Sequence, residues 1–149
     1  MQKHPVLSAF ALLIVSGATF AEQPQTQAKA VFDKYQSLEH SFDPALADLY
    51  CDSALIRNTR KYPDGRSRTI EIPAGKYKEL IRASLPAARA SGDYSTYSKV
   101  SYAPDGSNVR ITATRYSVLK EYSSPMSLLV GSCGRSNWGV LEEIGQSQP

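Results

Sequence analysis

From Ala28 onward the apolar residues Val31, Tyr35, Leu38 and Phe42 return at the spacing that places them on one stripe of an α-helix. Asp43-Pro44 then reads as an N-cap followed by proline at the first helical position, and Leu46, Leu49 and Tyr50 supply a second, shorter stripe. Over 54–61 and 67–72 the pattern changes to short runs with β-branched residues. They flank Tyr62-Pro63-Asp64-Gly65, so a hairpin is expected there. Pro73 opens a third helix in which Tyr77, Leu80, Ile81 and Leu85 share a face, with Pro86 inside it and Gly92 closing it. The remainder reads as strands over 94–102, 109–119, 126–133 and 138–144. In "VRITATRYSV", Val109, Ile111 and Ala113 face one way while Arg110, Thr112 and Thr114 face the other. That alternation describes a half-buried antiparallel sheet, and it leaves Arg115 on the side of Val109 and Ile111. The fold class is therefore α+β.

The segment before this pattern behaves differently. "MQKHPVLSAFALLIVSGATFAEQ" has Lys3 near its start, an apolar run from Val6 to Val15, and small residues up to Ala21. These features predict a signal peptide over 1–21 and a periplasmic or secreted mature chain. The apolar run of about ten residues is too short to span a bilayer core, which needs roughly 20, so the protein is not expected to be membrane-spanning. Residues 22–27, "EQPQTQ", read as a flexible leader, and 28–146 as a single domain. The formal charge of +3 is spread along the chain, which gives no support to nucleic acid as a partner. Two cysteines, Cys51 and Cys133, in a chain delivered to an oxidising compartment suggest one disulfide. Closing a loop of about 82 residues contributes on the order of 4 kcal/mol in the chain-entropy model.

Candidate chemistry is sparse. "YPDG" at 62–65 and "APDG" at 103–106 each precede an alternating strand, so Asp64 and Asp105 read as turn corners rather than catalytic acids. His40 is the one histidine beyond the leader, and neither a metal set nor a nucleophile motif accompanies it. No cofactor or metal is called for. "GSCG" at 131–134 is better read as half of the disulfide than as a nucleophile. Nine tyrosines against four phenylalanines is the stronger bias, because Tyr35, Tyr50 and Tyr77 lie on helical stripes and their buried hydroxyls need partners. Arg57, Arg60, Lys61, Arg66 and Arg68 concentrate positive charge on the first hairpin, with Asp64 alone to balance them. They suit a protein or envelope partner with an acidic surface.

The order helix, helix, hairpin, helix and four long strands resembles the nuclear-transport-factor-2-like superfamily. The resemblance rests on "LADLYCDSALIRN" at 46–58, the turn glycine Gly65, "AGKYKELI" at 74–81 and "GRSNWGVLEEI" at 134–144. It implies three helices packed in the concave face of a strongly curved sheet, a cone that admits ligands at its open end. The superfamily holds ketosteroid isomerases, polyketide cyclases, dehydratases and epoxide hydrolases beside many non-catalytic members. Where the isomerases place a general-base aspartate, the resemblance puts Asn58, which cannot take a proton. Tyr35 falls near their substrate-polarising tyrosine. The epoxide hydrolases use an Asp-Arg-Asp arrangement; Arg115 is available here, but the late strands carry no aspartate.

These observations lead to an exported small-ligand-binding or protein-interaction module, with a cavity enzyme as the alternative. Tyr35, Tyr50, Asn58, Tyr77 and Arg115 are the expected ligand-binding residues. An arginine on an apolar face should reach the cone mouth or meet a carboxylate such as Glu142 or Glu143, and a small amphipathic or anionic ligand is the natural guest. Self-association as a homodimer is compatible with this reading.

Overall fold

The computed structural model describes residues 22–134 and 137–149; the expected signal peptide lies outside the described residues. Helix α1 spans Glu22–His40, a 3-10 helix Pro44–Leu49, and α2 Ala74–Ser91. Strands β1 (Tyr50–Lys61), β2 (Ser67–Pro73), β3 (Ser95–Asp105), β4 (Asn108–Ser117), β5 (Tyr122–Ser132) and β6 (Trp138–Ser147) complete the chain. The strands form one sheet in the order β2-β1-β6-β5-β4-β3. Neighbours run antiparallel except β1 and β6, the first and last strands, which pair in parallel. Register shifts at Tyr50/Leu55, Ser98/Ser101 and Leu129/Val130 bend the sheet around the helices. Among the described residues no helix is long and apolar enough to cross a membrane.

The apolar stripes account for the interior. Val31, Phe32 and Tyr35 of α1, Leu46 and Leu49 of the 3-10 helix, and Ile81 and Leu85 of α2 meet Ile56, Val109, Ile111, Leu128, Val130 and Val140 of the sheet. Strand β4 alternates as its sequence requires, with Val109, Ile111 and Ala113 inward.

Four expectations need correction. Residues 22–27 are the first turns of α1 and not a leader: Gln, Glu and Ala favour helix, Pro24 sits where the first turn has no partner for its N–H, and Ala28 just beyond is fully buried. The second helix is 3-10, capped by the Asp43 side chain accepting from the Ala45 N–H at 2.9 Å, and it stops at Leu49 so that Tyr50 already belongs to β1. Leu80 is 44% exposed, because the turn from Tyr77 through Ile81 to Leu85 carries it off the packed face. β6 continues to Ser147, one residue past the expected domain end, because Arg60 of β1 still offers it a partner there.

Both Pro-Asp-Gly units are hairpin corners. Asp64 Oδ1 accepts from the Arg66 N–H at 3.0 Å, and Gly65 takes φ +85°, where a side chain would be strained. In the second, Asp105 pairs across to Asn108, leaving Gly106 and Ser107 as the loop.

Cys51 and Cys133 form the expected disulfide, Cα atoms 5.2 Å apart. Gly139 makes it possible. A Cβ at that position would lie 2.5 Å from the Leu49 carbonyl oxygen and 2.6 Å from Cys133 Sγ, so strand β6 can pass beneath the bridge only without a side chain.

Candidate functional site

A cavity of about 390 Å³ opens between the helices and the sheet. Its two walls differ in chemistry. Phe42, Leu46, Ile81, Leu85 and Ala88 make an apolar side. Tyr35 and Glu39 from α1, Tyr50 from β1, Tyr77 from α2, Ser95 from β3, Arg115 from β4 and Glu143 from β6 make a polar one, with Asp93 beside it. Six elements of the fold thus contribute to one polar cluster.

Glu143 is its central carboxyl. It is 7% exposed, and it accepts hydrogen bonds from the hydroxyls of Tyr50 and of Tyr77, the latter at 3.1 Å. Burial pushes its carboxyl above the usual carboxylate range, although the two tyrosine bonds and the Arg115 charge offset part of the rise. Glu39 repeats the arrangement on the opposite side. It accepts from the Tyr97 hydroxyl, burial raises its carboxyl, and the Tyr97 bond, the Arg115 charge and the Ser95 hydroxyl counter in part. The tyrosines themselves are held well above the ordinary phenol range, by burial first and then by the neighbouring carboxylates. They remain neutral donors. Their rings form a continuous edge-to-face file from Tyr77 through Tyr50 and Tyr35 to Tyr97, which fixes where each hydroxyl points.

Arg115 lies between the two carboxylates. Burial works against its charge, yet Tyr97, Tyr35, Glu39 and Glu143 outweigh that cost and hold the guanidinium above its ordinary range. Its Nε donates to Ser95 Oγ at 2.9 Å, and neither glutamate comes within salt-bridge distance. The terminal nitrogens have no partner among the described residues, and since no side-chain polar atom there is both sealed from solvent and unpaired, they open onto the cavity.

Of the residues singled out from sequence, Tyr35, Tyr50, Tyr77 and Arg115 come together in this wall. Asn58 does not. Eight residues along β1 from Tyr50, roughly 26 Å at strand rise, its side-chain amide donates to Ser147 Oγ at 2.9 Å instead. The superfamily comparison placed it by counting along a strand whose true start lies earlier. Glu143 appeared in the sequence only as one of two conceivable neighbours for Arg115, and Glu39 not at all, although it stands one helical turn after Tyr35 on the same stripe. In place of the aspartates of an Asp-Arg-Asp arrangement, Arg115 has glutamates for neighbours, one on a strand and one on a helix. His40 ends α1 and packs edge-on against Tyr94, with ring centroids 4.6 Å apart. Among the described residues no cluster of His, Cys, Asp and Glu could hold a metal ion.

The basic hairpin also differs from expectation. Arg57 pairs with Glu71 at 2.8 Å and lies 3.9 Å from Glu142, and Arg66 pairs with Asp64 at 2.6 Å. Arg60 and Arg66 flank the Tyr62 ring at 5.9 and 5.8 Å from its centroid. Strand pairing across the hairpin supplies an acidic partner, Glu71, that the local sequence did not reveal.

No family model matches the chain, and no curated protein sequence matches it. Solved structures do match. A nuclear-transport-factor-2-like protein of unknown function from Pseudomonas putida KT2440 superposes with a TM-score of 0.67 at 6% identity, over 85% of this chain and 87% of that one. A provisionally assigned dehydratase of the same kind from Streptomyces avermitilis gives 0.58 at 10% identity, over 85% and 96%. The β subunit of a provisionally assigned aromatic-ring-hydroxylating dioxygenase from Novosphingobium aromaticivorans gives 0.58 at 9% identity, over 88% and 93%. The fold is the nuclear-transport-factor-2-like cone.

Proposed function

We propose that this protein binds a small organic molecule in its cone, and that it does so outside the cytoplasm. The observation that carries the reading is the two-walled cavity: an apolar side faces a polar side on which Arg115 and Tyr35 keep unspent hydrogen-bond donors. Such a shape orients an amphipathic guest, with its polar end on Arg115 and Tyr35 and its hydrocarbon against Phe42 and Leu85. Tyr50 and Tyr77 act one step back, holding Glu143. The disulfide and the leader-like opening segment support export. Arg60, Lys61 and Arg68 leave the hairpin basic even after Arg57 and Arg66 are paired, which supports contact with an acidic partner surface. Native mass spectrometry of the purified protein tests the reading. A small molecule retained by the wild type and released in Tyr35→Phe and Arg115→Ala variants is expected, and retention unchanged by both substitutions sinks it.

A second reading is favoured by one observation. A buried carboxyl raised above its ordinary range, in a cleft and held by two tyrosine hydroxyls, is suited to general acid-base work, and one of the fold neighbours is a provisionally assigned dehydratase. Under that reading Glu143 exchanges the proton while Arg115 and Tyr35 orient the substrate. Conversion of the co-purifying molecule by the wild type but not by Glu143→Gln distinguishes an enzyme from a binder.

A further inference from the structure

A count of donors and acceptors on the polar wall names the chemical class of the guest. The acceptors present are the carboxylates Glu39 and Glu143, and each is already served. Tyr50 and Tyr77 donate to Glu143, while Tyr97 donates to Glu39, with the Ser95 hydroxyl as a further partner. Arg115 spends one of its five N–H groups on Ser95 Oγ. What remains is a surplus of donors: the terminal guanidinium nitrogens of Arg115 and the Tyr35 hydroxyl, for which the described residues supply no acceptor and which are not sealed from the cavity. A protein interior rarely leaves donors of this strength unmatched. The fork of a guanidinium fits a planar pair of oxygens, which an amide or an alcohol cannot present with equal charge.

We propose that the guest is a small carboxylate, its two oxygens held by the terminal nitrogens of Arg115, one of them shared with the Tyr35 hydroxyl, and its hydrocarbon laid against Phe42, Leu46 and Leu85. This rests on the binding reading above and narrows it. It has a consequence for protons. The groups facing the guest's charge are Glu39 and Tyr35 on α1, Tyr97 on β3, Glu143 on β6, Tyr50 on β1, Tyr77 on α2, and Asp93 before β3. An added negative charge beside Glu39 and Glu143 favours their neutral forms, so binding takes up a proton and tightens as pH falls through the raised range of these carboxyls.

Titration calorimetry of the whole protein against hexanoate, hexanamide and hexylammonium tests this, because the three share a hydrocarbon and differ in head group. Hexanoate is expected to bind roughly ten-fold tighter than hexanamide, and hexylammonium weakest. Repeating the hexanoate titration in two buffers of different ionisation enthalpy should show net proton uptake. Arg115→Gln should bring hexanoate down to the level of hexanamide. Should that variant melt early, Arg115→Lys, which keeps the charge and loses the fork, should retain only about a three-fold preference. Hexanamide binding as well as hexanoate, or hexylammonium binding best, overturns the carboxylate assignment and leaves the cavity reading intact. If none of the three binds, the cavity reading falls with it.

Discussion

Glu142 and Glu143 are consecutive residues of one strand with opposite fates. Glu142 points to the outer face of the sheet and makes direct ion pairs, 2.5 Å from Arg110 and 3.9 Å from Arg57, in a chain that continues to Asp105 and Glu71. Glu143 points into the cone, touches no cation, and is held by tyrosine hydroxyls while Arg115 compensates it from a distance. At the partly covered outer face, opposite charges close on each other directly. Away from water the protein uses neutral donors to hold the carboxylate in place, which keeps the arginine's fork unspent. The outer cluster spends its charges on one another; the inner one leaves the terminal nitrogens of Arg115 facing the cavity.

The largest test of this contrast is Glu143→Ala. It leaves the buried Tyr50 hydroxyl without an acceptor and removes a negative charge beside Arg115, so a loss of about 3 kcal/mol is expected, a fall in Tm of roughly 10 °C. Thermal unfolding checks it, and a fall of under two degrees would show that Glu143 is not structurally committed. A second, subtler effect is the pH dependence. Because burial raises the Glu143 carboxyl in the folded state, its contribution is fully present below the unfolded carboxylate pKa and is lost as pH rises through the folded value. The stability of the wild type relative to Glu143→Gln should therefore decline between weakly acidic and neutral pH, measured as urea midpoints. A flat difference would place Glu143 in a far wetter environment. Third, Glu142→Ala should cost no more than about 1 kcal/mol, and half-molar salt should shrink that cost. An effect matching Glu143→Ala would erase the distinction between the two faces. The smallest effect belongs to the hairpin corner: Asp64→Asn keeps the turn bond to the Arg66 N–H and should change the stability read from urea unfolding by no more than about 0.5 kcal/mol.

The two faces were also unequally legible in the sequence. Helical stripes found Tyr35 and Tyr77, and strict alternation along β4 found Arg115, because in both cases period and burial agree; Tyr50 was found on a helical stripe although it opens β1. Glu143 was ambiguous for a physical reason: the register shift between Leu129 and Val130 in the β5–β6 pairing interrupts the count, and adjacent glutamates give no hydrophobic cue to the phase. Glu39 was missed because a charged residue on an apolar stripe looks like the flank of a helix, although its spacing from Tyr35 was the available signal. Asn58 was misplaced because superfamily resemblance carries no reliable register where β1 begins. The fold was readable because turns, caps and alternation are local. The site was only half readable because its acid partners depend on strand phase and on distant packing.

The parallel pairing of β1 with β6 sets an order of events. Most of the sheet can grow by adding each new strand beside the last, but β1 must wait for the final strand, residues 138–147, before it gains a second edge. Until then the β1–β2 hairpin has no strand partner among the other four and meets them through the helices, and the carboxylate that accepts from Tyr50 and Tyr77 has not arrived. The cone therefore closes only when β6 is in place, and pairing two strands so far apart in sequence carries a large loop-closure cost. Losing ten residues from the C-terminal end would separate β1 and β2 from the rest of the sheet, a far larger loss than an equal number removed from the first turns of α1.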